Sequence, residues 1–171
     1  MTYDSLMSVK TLNGVTADNA LRHIGQLIDF SCDLKKRAGL DHAIDLAKEL
    51  RVRKPTKKQE AILDYFTANA WAGLRHLASA DGRTSWDWQQ KEMENELFHL
   101  RSAIQSDGFK SLHEMRRCQI LTNLANLFDS TGRFIEALDY WGQALEINPS
   151  FGMVRGNIPI KLPNYDDEWK I

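Results

Sequence analysis

The chain has five histidines and two cysteines, and their spacing among its carboxylates builds no complete metal or catalytic site. Glu96 and His99 lie three residues apart, which is the spacing of a carboxylate and an imidazole in a di-iron helical bundle. Such a site needs a second Glu-x-x-His pair and two further glutamates, and the sequence contains no second pair. No histidine lies three or four residues from another histidine or a cysteine, as metal ligands on one helix face do. The sequence therefore predicts no metal site.

Motifs for phosphate binding or covalent chemistry are also missing from the sequence. It contains neither the glycine-rich GxxxxGK[ST] loop nor the GxSxG turn of a nucleophilic serine, and Gly73 and Gly82 stand alone. We therefore expect no cofactor and no catalytic residue, and we predict that the protein is not an enzyme.

The densest run of basic residues follows the second predicted helix. Its members are Arg51, Arg53, Lys54, Lys57 and Lys58, and no acidic residue occurs from 51 to 59. Such a run fits contact with nucleic-acid phosphates or with an acidic peptide. Two alternatives stay open. The run is a solvated corner, whose two arginines are favoured by the dipole at the end of that helix, or it pairs with the acidic residues 166–168 of the chain's own tail.

Composition limits the class of protein. A chain of 171 residues is long enough for a hydrophobic core, and 43% hydrophobic with 26% charged residues is typical of a globular domain. The net charge of -1 gives no general attraction to nucleic acid. Two cysteines without a CxxC motif argue against a disulfide scaffold. We see neither a signal peptide nor an apolar run long enough for a membrane, and we expect a cytoplasmic protein that binds no membrane.

Residues 118–151 carry small and apolar side chains at the spacing of a two-helix repeat. The apolar positions recur with helical period: Leu121, Leu124, Phe128, Phe134, Leu138, Trp141 and Leu145. Ala125 and Ala137 are small enough for two helices to approach closely. Gly132 suits the end of the first helix, and Pro149 stops the second. The stretch resembles a tetratricopeptide repeat.

The resemblance implies an all-α fold of stacked antiparallel helical hairpins. In families with this repeat, the first helix of each hairpin lines a concave groove that takes a peptide or helix of another protein. The groove residues that the resemblance suggests here are Asn126, Thr122, Asn123, Trp71, Arg75 and Lys35. Two alternatives stay open: the asparagines are solvated or cap local structure, and Trp71 is a core residue. The carboxylate-clamp version of the repeat needs Lys and Asn where this chain has Ile28 and Cys32, so we expect no chaperone-tail clamp.

Periodicity and turn signals predict the elements that must position these residues. We expect helices at 17–37, 41–53, 57–79, 86–106, 110–131 and 133–147. Thr16 and Thr84 or Ser85 are candidate N-caps, Thr56 and Gln59 have capping-box spacing, and Gly39 is expected to break the first helix from the second. The predicted organisation is a loose segment at 1–15, a repeat-like helical domain at 16–157 and an irregular tail at 158–171.

A second, narrower resemblance gives an alternative function. Residues 132–141 with 148–153 are similar to the repeat region that precedes a HEPN ribonuclease-type domain in some bacterial proteins. That family's catalytic motif is an arginine followed by a histidine four to six residues later, and Arg37 and His42 have this spacing. We expect the two to lie on different helices as a solvated pair.

The function we favour is a non-catalytic scaffold module that binds a peptide or helix of another protein. The alternative is a nucleic-acid-associated or HEPN-linked regulatory protein of the defence or toxin–antitoxin type. Self-association through the C-terminal end is a third option.

Overall fold

The chain folds into α-helices that pack in pairs, as the sequence predicts. A computed structural model describes residues 2–80, 82 and 90–156. Contacts divide the chain into two compact units, Met1–Leu112 and His113–Ile171, which are described separately below. The fold class is all-α with helical hairpins, and that prediction is confirmed. The single domain proposed for 16–157 stays a prediction.

Unit 1 contains two long helical hairpins and a short leading helix. Its elements are α1 (Tyr3–Met7), α2 (Ala17–Asp33), α3 (Arg37–Val52), α4 (Lys57–Ala80), α5 (Lys91–Gln105) and a 3-10 turn at Phe109–Ser111. Helix α2 packs on α3, α4 packs on α5, and both helices of the first hairpin pack on α4. Helix α4 is therefore the centre of the unit and carries residues toward two different sets of neighbours.

Capping residues begin two of these helices where the sequence predicts. The Thr16 hydroxyl accepts a hydrogen bond from the Asn19 amide at 3.3 Å, which satisfies one free donor of the first turn of α2. At the start of α4, the Thr56 hydroxyl accepts from the Gln59 amide at 3.3 Å, and the Gln59 side-chain oxygen accepts from the Thr56 amide at 3.0 Å. Both interactions confirm the predicted caps.

The first connection differs from the prediction. Helix α2 ends at Asp33 and α3 begins at Arg37, so Gly39 lies inside the first turn of α3 and does not break a helix. The turn is made instead by Lys35, whose φ of 54° is left-handed. A Cβ on Gly39 would collide with the Ser31 hydroxyl and would lie 2.8 Å from Cε2 of Tyr3. The glycine is therefore needed for close approach of α3 to α2.

The expectation of a loose segment at 1–15 is wrong where α1 forms. Leu6 and Leu12 are 1% and 0% exposed, and both belong to the core of unit 1. Side chains of α3 hold the backbone that follows: His42 Nε2 lies 2.8 Å from the Val9 carbonyl oxygen, and the Glu49 carboxylate accepts from the Leu12 amide at 3.0 and 3.2 Å. The periodicity of the sequence could not predict that residues 1–15 pack on the core, because the side chains that hold them lie more than 30 residues away in the chain.

Unit 2 is built on one hairpin of α6 (Glu114–Ser130) and α7 (Phe134–Ile147). Ala125 and Ala137 are 0% exposed, which fits their predicted role in close helix approach. Gly132 has a φ of 75° and follows α6 in the left-handed conformation of a C-cap, as predicted. The predicted start of α6 near Lys110 is wrong, because a 3-10 turn precedes the helix.

The predicted fourth helix, 86–106, is observed as α5 from Lys91 to Gln105. The candidate caps Thr84 and Ser85 and the tail at 158–171 lie outside the described residues. None of the helices in the described ranges combines the length and apolar character that crossing a bilayer requires.

Candidate functional site

Unit 1 has a cavity between the C-terminal halves of α2 and α4, which we call the α2–α4 pocket. Its volume is about 260 Å³, and the lining residues used below are Cys32, Lys35, Leu40, Gly73, His76 and Leu77. Gly73 keeps the pocket open at its base. A Cβ there would lie 2.9 Å from both the Cys32 Sγ and a Leu40 methyl carbon. Of the six predicted groove residues, Lys35 is the one that lines this pocket.

Among the residues that line the α2–α4 pocket, Lys35 carries the permanent charge, and its side chain is exposed. Burial raises the pKa of the Cys32 thiol, and the nearby carboxylates of Asp29 and Asp33 raise it further. The thiol is therefore protonated at neutral pH and is a poor nucleophile. Burial lowers the pKa of His76, with a smaller effect of Arg75, so this imidazole is neutral there. The pocket can bind an apolar group beside one ammonium, and it offers no activated nucleophile.

Trp71 and Arg75 do not line the α2–α4 pocket. Arg75 Nε donates to Glu96 Oε2 at 2.6 Å, and the two side chains are only 8% and 5% exposed. Arg75 thus has an internal partner on α5, and its role as a groove contact stays a prediction. Trp71 is half-buried, and the Lys91 ammonium lies 5.5 Å from its ring centroid. The i, i+4 spacing puts the two residues on one side of α4, where Arg75 contacts α5 and Trp71 lies between α3 and α5.

The three groove residues predicted on α6 belong to unit 2. The Trp141 indole donates to Asn126 Oδ1 at 3.1 Å, so this amide ties α6 to α7. Asn123 is half-buried. Thr122 is 0% exposed, and its hydroxyl has no hydrogen-bond partner among the described residues. A groove role for these three residues stays a prediction.

The basic run at 51–58 is partly neutralised by residues outside it. Arg51 pairs with Asp64 at 2.6 Å, Arg53 with Glu49 at 2.8 Å and Lys57 with Glu60 at 3.0 Å. Lys54 and Lys58 are exposed and form no ion pair within the described ranges. Residues 51–59 contain no acid in the sequence, but carboxylates surround them in the structure. Helix turns bring Glu49 and Glu60 close, and the packing of α4 on α3 brings Asp64 close.

Glu96 and His99, which have the spacing of a metal-binding pair, contact different partners. Glu96 binds Arg75, whereas His99 Nδ1 lies 2.8 Å from Asp64 Oδ1. No group of three potential metal ligands occurs in the part of the chain that the structure describes.

Arg37 and His42 lie on the same helix, contrary to expectation, but their side chains have different partners. Arg37 pairs with Asp41 at 3.6 Å, and His42 contacts the Val9 carbonyl. Five residues of an α-helix turn the second side chain about 140° from the first. The two residues therefore do not form a common site.

Asp64 is the residue that sequence reasoning missed. Its carboxylate is 8% exposed, and its Oδ1 contacts both Arg51 of α3 and His99 of α5. A single aspartate within an amphipathic helix carries no local signal for this position. The separation of the three residues along the chain hides the cluster until α3, α4 and α5 pack.

Comparison with known proteins gives one family match. Residues 118–151 match the tetratricopeptide repeat, and this is the stretch that the sequence pattern predicts. Neither a search of curated proteins nor one of solved structures gives a match. The matched residues span all of α7 and most of α6, so the chain carries a tetratricopeptide repeat on a helical hairpin. A repeat of this kind suggests a protein-interaction module.

Proposed function

We propose that this protein is a non-catalytic interaction module that binds a peptide or a helix of another protein. The observation that carries the proposal is the tetratricopeptide repeat at 118–151. Repeats of this type bind partners through the first helices of their hairpins. In unit 1 the corresponding helices are α2 and α4, and the α2–α4 pocket lies between them.

The chemistry of this pocket indicates how a partner would bind. Leu77 offers apolar surface beside the buried Leu40, and the absence of a side chain at Gly73 leaves the depth that an inserted side chain needs. Lys35 is held at the rim by a left-handed backbone and presents an exposed ammonium. We therefore propose that an apolar side chain of the partner enters the pocket and that a neighbouring carboxylate of the partner pairs with Lys35.

Two substitutions with matched controls test this site. Gly73→Ala places a methyl group against Cys32 and Leu40, whereas Gly142→Ala adds the same group where no atom lies within 4 Å. Lys35→Gln removes the rim charge. Lys54→Gln is its control, because both lysines are exposed and have nearly equal left-handed φ angles of 54° and 53°.

The assay is affinity capture from the native lysate after nuclease treatment, followed by binding measurements with each recovered protein in purified form. A partner that binds the wild type, Gly142→Ala and Lys54→Gln but binds Gly73→Ala and Lys35→Gln at least about tenfold more weakly supports the pocket. Equal binding by all five proteins would refute it. Melting curves of the variants show whether a loss of binding reflects a loss of folding.

The alternative of a nucleic-acid-associated protein is weakened by the ion pairs of the basic run. Three of its five cations already contact carboxylates, although the Arg51 side chain is still 43% exposed beside Asp64. Lys54 and Lys58 are the two cations of the run without an ion pair among the described residues. Binding through phosphates should weaken steeply between low and moderate salt, because counterions are released. RNA or DNA captured without nuclease, and lost in a Lys54→Gln/Lys58→Gln variant, would favour this alternative.

A further inference from the structure

Three residues with unrelated predicted roles meet in one cleft of unit 1. Arg51 belongs to the basic run, Trp71 to the predicted groove and His99 to the Glu-x-x-His spacing with Glu96. The structure brings them together where α3, α4 and α5 pack, in a cleft of about 90 Å³ that we call the α3–α5 cleft. Trp71 and Lys35 thus line different cavities, and this cleft is separate from the pocket proposed above.

The Asp64 carboxylate organises the polar side of the cleft. Its Oδ1 accepts from Arg51 Nη2 at 2.6 Å and from His99 Nδ1 at 2.8 Å. An ionised carboxylate can only accept, so the proton of the imidazole must lie on Nδ1. The ring is thereby oriented, and the charge of Asp64 is already matched by one guanidinium.

The lining residues of the cleft that carry a permanent charge are both cations, Arg51 and Lys48. The Arg51 side chain is 43% exposed, and its bond to Asp64 occupies only one edge of the guanidinium. Lys48 also lines the cleft, and its pair with Asp45 is exposed at 71% and 69%, so a ligand can recruit its ammonium with little loss. An anion entering the cleft would therefore meet two cationic groups.

The apolar wall and the small volume of the cleft limit which molecule can carry the anionic group. Ile44, Ala47 and the Trp71 ring form an apolar wall. The Thr67 hydroxyl already donates to the Leu63 carbonyl at 2.7 Å, which leaves this wall without a free donor from that residue. A volume of about 90 Å³ lies well below the roughly 300 Å³ at which sites for drug-sized ligands begin. One small group fits, and a nucleotide does not.

We propose that the α3–α5 cleft binds a single carboxylate on a short apolar stem. Arg51 offers its planar guanidinium to the carboxylate, since that group matches the two oxygens better than an ammonium does. Lys48 adds charge from the rim, and the stem packs on Trp71. Such a carboxylate occurs in a small organic acid and in the glutamate side chain of a protein.

The experiment is an NMR titration of the full chain at constant ionic strength, which follows the Trp71 indole and His99 imidazole signals. The probes are propionate, its neutral analogue propionamide, and N-acetylglutamate amide. We expect both carboxylates to shift the two signals along a saturable curve, and propionamide to leave them in place. Tighter binding of propionate would assign the cleft to free acids, and tighter binding of the glutamate derivative would assign it to protein side chains.

Variants test the assignment to this cleft. Arg51→Gln should weaken carboxylate binding about tenfold or more, and Arg53→Gln should not, since Arg53 pairs with Glu49 outside the cleft. Lys48→Gln breaks only an exposed pair, so it keeps the test valid if Arg51→Gln fails to fold. Its binding should weaken at least about twofold. The proposal is overturned if no saturable shift appears, if propionamide binds as well as propionate, or if the Arg51→Gln and Lys48→Gln proteins both bind like Arg53→Gln.

Discussion

Replacement of Arg75 by methionine should destabilise unit 1 more than replacement of any surface arginine. The Arg75–Glu96 pair joins α4 to α5 with side chains that are 8% and 5% exposed. Without Arg75, Glu96 becomes a buried carboxylate with no charged partner. The loss of one partner from a buried pair costs about 3–5 kcal/mol of folding free energy. With an m-value of about 2 kcal/mol per molar, the urea midpoint should fall by roughly 2 M.

Comparison with two further variants separates the pair from a general effect of the substitution. Arg37→Met removes an arginine whose pair with Asp41 is 59% and 53% exposed, and it should cost at most about 1 kcal/mol. Arg75→Met/Glu96→Leu removes both charges and fills the space with apolar atoms, so it should recover most of the lost stability. The reasoning is refuted if Arg75→Met resembles Arg37→Met, or if the double variant is as unstable as the single one.

The pH dependence of the Arg75→Met protein offers an independent test. Burial raises the pKa of Glu96, and the hydrogen bond and charge of Arg75 oppose this effect. A carboxyl whose folded pKa lies above its ordinary value of 4.5 binds more protons in the folded state. Its contribution to stability therefore falls as the pH rises from the ordinary pKa to the raised pKa of the folded state. Without Arg75, the pKa of Glu96 in the folded state should rise further. Acidification from neutral pH should therefore restore part of the stability of Arg75→Met, but not of the double variant, which has no carboxyl at this position.

Three further predictions concern stability. Gly39→Ala should lower the free energy of unfolding by about 1–3 kcal/mol, because its Cβ meets the Ser31 hydroxyl. Gly142→Ala should leave the stability unchanged or raise it by up to about 1 kcal/mol. Urea unfolding distinguishes the two variants, and equal effects would contradict the role of Gly39. Burial lowers the pKa of His23. As the pH falls below the ordinary value of 6.5, the unfolded state therefore binds more protons than the folded state, and stability is lost. His23→Gln should make the melting temperature less dependent on pH across that range. Thr56→Ala should lower the stability by about 0.5–2 kcal/mol in the same assay, and an unchanged midpoint would show that the cap of α4 contributes little.

The local features of the fold could be predicted because they depend on neighbours in the chain. Thr16 and Thr56 cap helices through contacts three residues away, and Gly132 ends α6 by its own backbone freedom. Gly39 misled the prediction, since glycine suggests a helix end when only its local cost is considered. Its actual role is close packing between α2 and α3, which depends on Ser31 and Tyr3.

The candidate sites could be predicted much less well. Spacing placed Trp71 and Arg75 on one face of α4, and the structure agrees. Which helix that face meets depends on how α4 is rotated in unit 1. Arg75 contacts α5, and Trp71 lies between α3 and α5. Gly73 and Cys32 line the α2–α4 pocket without any sequence motif that links them.

The sequence by itself determined the fold class, the caps of α2 and α4, and the repeat at 118–151, because each follows from periodicity or from contacts within a few residues. Only the tertiary structure decided the partners of the charged side chains. Arg51, Asp64 and His99 come from three helices, and their separation along the chain is unrelated to their distances of 2.6 and 2.8 Å in space. An ion pair forms only where the packed helices bring two side chains within a few ångströms. A cluster of charges in the sequence therefore does not show which of them stay unpaired and can bind a partner.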